Sequence, residues 1–262
     1  FLKFDGMGVG NNVTGADVET ADDIDAVLNL TRELRRENPD LFISATVGTW
    51  PSPFWTLHAD SIWRQGSDTG FHGVGTMRQR WITYRDMSCY RRIVALGPLY
   101  PLNSLMLLGP CIGERGSPGR MNRDEKCVAD EIWSFFGSGA NLQELYINPD
   151  LLTPSMWHEL AAAAKWSRAN ADVLVDTHWI GGDPGKGEVY GWASWQPRKG
   201  ILILRNPAET MQTHEFDPAG EWELPRTSVT DYVLTSARPD QRIERLRVAA
   251  NGTARIEIEP FE

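Results

Sequence analysis

A chain of 262 residues, 41% of them apolar, is long enough to bury a sizeable core and to form two domains, and no apolar run reaches membrane-spanning length. Its 26 Lys and Arg against 35 Asp and Glu give a formal net charge of −9. That balance, with no concentrated basic stripe, argues against a nucleic-acid partner and is silent on a neutral ligand such as a sugar.

In chain order, Leu2-Lys3-Phe4 reads as a first strand ending in Asp5-Gly6. Thr20 and Asp23 fit a capping box before a helix striped by Ile24, Val27, Leu28, Leu30 and Leu34, with Pro39 after its end. A second strand is expected over Leu41 to Val47. An aromatic loop through Trp50 and Trp55 then carries two prolines that stop a ladder or a helix. A strand over Leu57 to Ile62 would deliver Trp63, Arg64 and Asp68 beyond its end. Gly66, Gly70, Gly73 and Gly75 mark the loop that follows, and the next helix is expected between Asp86 and Leu96. Further along come a strand at Ser104 to Leu108, a helix at Asn122 to Phe136 and a strand at Leu142 to Ile147. Thr153 and Pro154 then open another helix.

The pattern changes at Gly181-Gly182-Asp183-Pro184-Gly185. Strand-like runs follow at Val189 to Trp195, Gly200 to Leu204, Ile243 to Val248 and Ala254 to Glu259. The last alternates Ala254, Ile256 and Ile258 with Arg255, Glu257 and Glu259 at a period of two. The first part therefore predicts an α/β fold, and 187–262 a small antiparallel β domain.

Two carboxylates stand out. Asp5 sits where a strand passes into its loop, the place where catalytic groups gather in (β/α) barrels. Lys3, two residues earlier on the same side of the strand, can bind sugar hydroxyls and keep Asp5 ionised. Asp68 is a second acid, and Arg64 is expected to orient hydroxyls beside it. Each Asp equally fits a plain turn role. The 11 Trp suit rings that cover the apolar face of a sugar, Trp50 being the candidate, and equally suit core anchors. Cys89, Cys111 and Cys127 match neither a zinc pattern nor a disulfide framework, so one disulfide with a free thiol and three reduced thiols both remain open.

LKFDG at 2–6 resembles the nucleophile strand of the α-galactosidase and α-N-acetylgalactosaminidase superfamily, glycoside hydrolase families 27 and 36. The Trp-Arg motif with an Asp four residues on matches Trp63, Arg64 and Asp68. ADSIWRQGSD, QRWITYRD, GPLYPLNSLMLLG and FFGSGANLQELYI look like a bacterial subgroup of the same proteins. The recognition loop Thr49-Trp50-Pro51 lacks the Cys and acidic residue that precede Trp-Pro in that family. The resemblance implies a retaining, melibiase-like α-galactosidase with Asp5 as nucleophile, Asp68 as acid/base and Lys3, Trp50 and Arg64 on the substrate, with no metal and no cofactor. It also implies a partial (β/α)8 TIM barrel over 1–184, from about the fourth strand onward, followed by an antiparallel β-sandwich-like domain over 187–262.

Because Phe1 to Phe4 reads as a strand already under way, a missing N-terminal barrel half or a partner chain is expected to complete the pocket. The location is open, and a secreted or periplasmic parent fits. Rival readings are a non-catalytic carbohydrate-binding protein of the same fold and a metal hydrolase using Asp5, His58, Asp60 or His72. Gly6-Met7-Gly8-Val9-Gly10 has neither the full dinucleotide fingerprint nor the P-loop ending.

Overall fold

Apolar strands separated by helices return to the same end of a sheet, which makes neighbouring strands parallel. The computed structural model describes residues 1–5, 18–46, 52–97, 100–226, 231–238 and 245–262. Within them β1 (Leu2–Phe4), α1 (Val18–Glu37), β2 (Ile43–Ala45), β3 (Ser61–Trp63), α2 (Met77–Arg92) and β4 (Leu105–Met106) follow in order, and the four strands pair β1-β2-β3-β4, all parallel. β5 (Cys111–Ile112) comes next with no helix between. After α3 (Gly116–Arg120) and α4 (Glu125–Gly137) it pairs in parallel with β6 (Tyr146–Ile147). Residues 105–112 thus form one bent stave, paired with β3 by its first half and with β6 by its second. At the bend Leu108 has φ 67°, and a Cβ on Gly109 would lie 2.3 Å from the Phe135 ring. The arrangement is a partial (β/α)8-like barrel with an additional β domain.

The strand register sorts the side chains by face. Ile43, Ala45, Ile62, Leu105 and Leu107 enter one core with Val128, Ile132, Phe135 and Phe136 of α4 and Leu160 of α5 (Pro154–Ala169). Burying each such side chain stabilises by about 1.5–3 kcal/mol. Lys3, Ser44 and Ser61 stand level on the opposite face, where Ser61 Oγ donates to Ser44 Oγ at 2.9 Å.

After α6 (Ala171–Leu174) come three antiparallel strands, β7 (His178–Gly181), β8 (Tyr190–Gln196) and β9 (Lys199–Arg205). β10 (Gln212–Phe216), α7 (Pro218–Glu221), β11 (Asp231–Thr235), β12 (Arg245–Ala249) and β13 (Ala254–Ile258) complete the chain, with β10 on β13 and β11 on β12. Ala254, Ile256 and Ile258 are buried and Arg255 and Glu257 exposed, as their alternation predicts. β7, although it precedes the glycine-rich break, belongs to the same sheet as β8. No helix among the described residues is long and apolar enough to cross a membrane.

Several local expectations need correction. α1 is already helical at Val18, so Thr20 lies inside it and does not cap it. The 57–62 stretch divides into a 3-10 turn, Pro53–Leu57, and the shorter β3. Ser52 caps the turn and Pro53 suits its start. α2 begins at Met77, capped by Thr76, well before Asp86. Its buried residues are mostly polar (Arg78, Gln79, Thr83, Arg85, Asp86 and Ser88, beside Trp81, Ile82 and Cys89), so its apolar stripe is a weak signal.

That polar face docks the β domain. Arg85 pairs with Asp86 at 2.7 Å, Tyr190 OH donates to Asp86 at 2.6 Å, and Arg205 donates to Gln79 Oε1 at 2.6 Å. Burial pulls the Arg85 guanidinium down in pKa, but the Asp86 charge and hydrogen bond outweigh it and leave the value raised, so the guanidinium stays charged. All three cysteines are free thiols, and burial pushes those of Cys89 and Cys111 well up.

Candidate functional site

Asp5 follows β1 directly and is exposed at the C-terminal end of the parallel strands. Thr46 stands next to it at the end of β2, its N–H donating to Phe4 O at 2.9 Å. The Thr46 hydroxyl lies 3.1 Å from Asp5 Oδ1 and 2.9 Å from Phe4 O, so its one proton is shared between them. This fixes the Asp5 carboxylate against its neighbour strand and leaves it open to solvent.

Lys3 reaches across from the first stave to the last. Its ammonium donates to Glu144 Oε2 at 3.3 Å and to Tyr146 OH at 3.0 Å, and Tyr146 OH donates to Glu144 Oε2 at 2.6 Å. Burial lowers the Lys3 pKa, but the hydrogen bond to Tyr146 and the Glu144 charge outweigh it, so the net value is raised. Burial, reinforced by the bond to Glu144, pushes the Tyr146 phenol up to about 12. Near neutral pH Lys3 is an ammonium and Tyr146 a phenol, and with Glu144 they lie on the same side of β1 as Asp5. An ammonium has three donors, and two are used here.

Arg64 is placed differently from the expectation that it would orient sugar hydroxyls. It is fully buried, with Nε on Leu107 O at 2.9 Å, Nη1 on Gln65 O at 2.8 Å, and Nη2 on Ser67 O at 3.1 Å and Asp68 O at 2.9 Å. Its guanidinium stacks 4.3 Å from the Trp63 ring. Desolvation depresses its pKa to about 10, which still leaves it charged at neutral pH. All four of these hydrogen bonds go to the backbone rather than to the open face, because the Trp63 and Tyr84 rings enclose the guanidinium.

Asp68 lies exposed at the outer end of the loop that Arg64 organises. It follows β3, two strand spacings or about 10 Å from β1 at the level of the sheet. The structure therefore brings Asp5, Asp68 and Lys3 to one end of one sheet, with the loop 64–68 setting the separation of the two carboxylates. Trp50 lies outside the described residues, as do the recognition loop around it and the glycine loop after Asp5.

Sequence reasoning missed Thr46 and Tyr146 and gave Glu144 no catalytic role. The signal for the last two was their spacing of two, which puts both on one face of a strand. Asp60, a possible metal ligand, is bound at the N-terminal end of β3 by Arg35 and by Ile43 N, both at 2.7 Å. His72 Nε2 is 2.9 Å from Gly185 O. Among the described residues no group of three or more His, Cys, Asp and Glu side chains could hold a metal ion. A cavity of about 720 Å³ opens between α4, α5 and the β domain, lined by Trp133, Trp166, Trp192, Trp222 and Tyr232, and none of the strand-end groups lines it.

No family model matches the chain, and no curated protein does. Solved structures match its fold. AmyP in complex with maltose aligns with a TM-score of 0.50 at 10% identity, over 91% of this chain and 60% of that one. A cyclomaltodextrinase aligns with a TM-score of 0.50 at 10% identity, over 90% of this chain and 43% of that one. The maltogenic α-amylase AmyB from Thermotoga neapolitana aligns with a TM-score of 0.48 at 14% identity, over 88% of this chain and 56% of that one. The chain thus spans less than two thirds of the length of each.

The two matches with a TM-score of 0.50 overturn the α-galactosidase, melibiase-like expectation drawn from LKFDG and the Trp63-to-Asp68 spacing. Both motifs are short, and a barrel of parallel strands presents strand-end carboxylates at the same face whatever sugar it takes. What the chain shares with the aligned structures is the barrel with its added β domain.

Proposed function

We propose that the C-terminal face of the barrel strands is the active site of a retaining α-glycosidase acting on maltose-type, α-linked glucose substrates. The observation that carries the reading is the exposed Asp5 carboxylate held by Thr46 at a strand end, with a second exposed carboxylate, Asp68, on the same end of the sheet. Support for the substrate class comes from the fold shared with AmyP in complex with maltose and with a cyclomaltodextrinase.

Asp5 attacks the anomeric carbon as its bond to the glycosidic oxygen breaks, and the proton of the Asp68 carboxyl passes to that departing oxygen. Water then gives a proton to Asp68 and attacks the same carbon, displacing Asp5 and restoring the original configuration. The hydrogen bond from Thr46 orients the Asp5 carboxylate. Lys3 presents its ammonium to sugar hydroxyls, with Glu144 and Tyr146 fixing its position. Trp50 covers a sugar face, and further polypeptide completes the open barrel.

The test is the anomer first released when the full-length protein cleaves a maltooligosaccharide, followed by proton NMR before mutarotation. α-Glucose or an α-configured reducing end is expected. The β anomer would contradict the double displacement, and no cleavage would contradict the substrate class.

A further inference from the structure

We propose that Arg64 is a positioning residue that holds the acid/base Asp68 in place by fixing the backbone of the loop carrying it; this rests on the glycosidase reading above. Four consecutive carbonyls in this loop are each capped by a side-chain donor. Arg64 takes Gln65 O, Ser67 O and Asp68 O, and Trp63 Nε1 takes Gly66 O at 3.0 Å. The same guanidinium ties the loop to the next stave through Leu107 O. From the other side the Tyr84 hydroxyl accepts from Ser67 N at 3.0 Å. A Cβ on Gly70 would stand 2.6 Å from the Tyr84 ring, so the chain beyond Asp68 also lies against that ring.

These bonds hold a backbone that would not persist alone. Gln65 has φ 72° and Gly66 φ 84°, and a non-glycine residue in the left-handed region costs about 1–2 kcal/mol. Such outliers survive where the surroundings over-determine them. The carbonyl of Asp68 is one of the anchored groups, whereas its carboxylate has no hydrogen-bond or ion-pair partner among the described residues. A rigid main chain under an unpartnered, exposed carboxyl is the geometry of a proton donor whose reach is set by the loop. The guanidinium, buried against Trp63 and facing carbonyls, touches no substrate in this arrangement.

The experiment compares two substrates in the full-length protein. Phenyl α-glucoside needs a proton on its leaving oxygen, whereas α-glucosyl fluoride departs without general-acid help. Arg64→Lys is expected to lower kcat on the phenyl glucoside by about 100-fold, the scale of a misplaced catalytic group. Its KM for the phenyl glucoside and its kcat/KM on the fluoride, which reports formation of the glycosyl-enzyme alone, should change little. Tyr84→Phe, which removes one loop anchor and keeps the ring, should show the same selectivity in weaker form. It carries the test alone if Arg64→Lys loses its native near-UV circular dichroism.

A rise in KM with kcat unchanged on both substrates would make Arg64 a substrate contact and overturn the proposal. Equal loss on both substrates would make it a general structural residue and also overturn it. Asp68→Ala separates the two levels. If that variant fails to favour the fluoride, the acid/base reading of Asp68 falls. If it does favour the fluoride and the loop variants do not, only the positioning role falls.

Discussion

Asp5→Gly is expected to lower turnover of an aryl α-glucoside by the full-length protein by on the order of 10⁴-fold or more while leaving the fold intact. The residue follows a three-residue strand and is exposed, so little packing is lost with it. What is lost is the group proposed to form the covalent intermediate. Azide should restore turnover, because a small anion fits the space of the missing carboxylate. It attacks from the face opposite the leaving group, so the product should be the β-configured glycosyl azide. A variant that keeps a tenth or more of wild-type turnover, or a folded variant that azide does not rescue, would count against Asp5 as nucleophile.

A second large effect is expected far from the sugar. Glu131 on α4 is fully buried and joins three partners. Its Oε1 accepts from Trp81 Nε1 at 2.8 Å and from Cys111 N at 3.0 Å, and its Oε2 pairs with Arg78. Arg78 in turn donates to Cys111 O at 3.1 Å and to Asn122 O at 2.8 Å. The ion pair therefore clamps both backbone groups of Cys111, the first residue of β5 and part of the bent stave.

Glu131→Ala strands the Arg78 charge in the interior and leaves two buried N–H groups without their acceptor. Breaking one side of such a pair costs about 3–5 kcal/mol. That is a large share of the roughly 5–15 kcal/mol that holds a typical domain together. The urea midpoint should fall accordingly. Adding Arg78→Met should recover part of the loss, since removing both charges is far cheaper than stranding one. A loss below about 1 kcal/mol for Glu131→Ala would show that the network does not hold the stave.

These two residues illustrate how unevenly the sequence discloses the molecule. Asp5 was legible because a strand end, a following glycine and a short motif coincide at one point of the chain. The β13 alternation was equally plain, because a half-buried strand writes its two faces at a period of two. α2 was hidden because its buried face carries Arg78, Gln79, Arg85 and Asp86, which read as solvent-facing until their partners on α4, β8 and β9 are seen. Arg64 misled for the same reason. A charge near an acid suggests ligand binding, and only the fold shows its donors turned onto carbonyls 65, 67, 68 and 107.

The Lys3, Glu144 and Tyr146 cluster joins residues about 140 positions apart, a contact that only closure of the staves creates. Substrate identity was the least legible of all. Strand-end carboxylates follow from the barrel, whereas the sugar is chosen by loops, and the short motifs that suggested galactosides do not encode that choice.

The central claim is that Asp5 forms a covalent bond to an α-glucosyl unit. The most direct measurement incubates the full-length protein with 5-fluoro-α-glucosyl fluoride, which slows hydrolysis of the glycosyl-enzyme, and locates the label by peptic digestion and tandem mass spectrometry. The account predicts one added fluoroglucosyl group per chain, on the peptide containing Asp5 and absent from Asp5→Gly. A label on any other carboxylate, or turnover of α-glucosides with no label at Asp5, would contradict it.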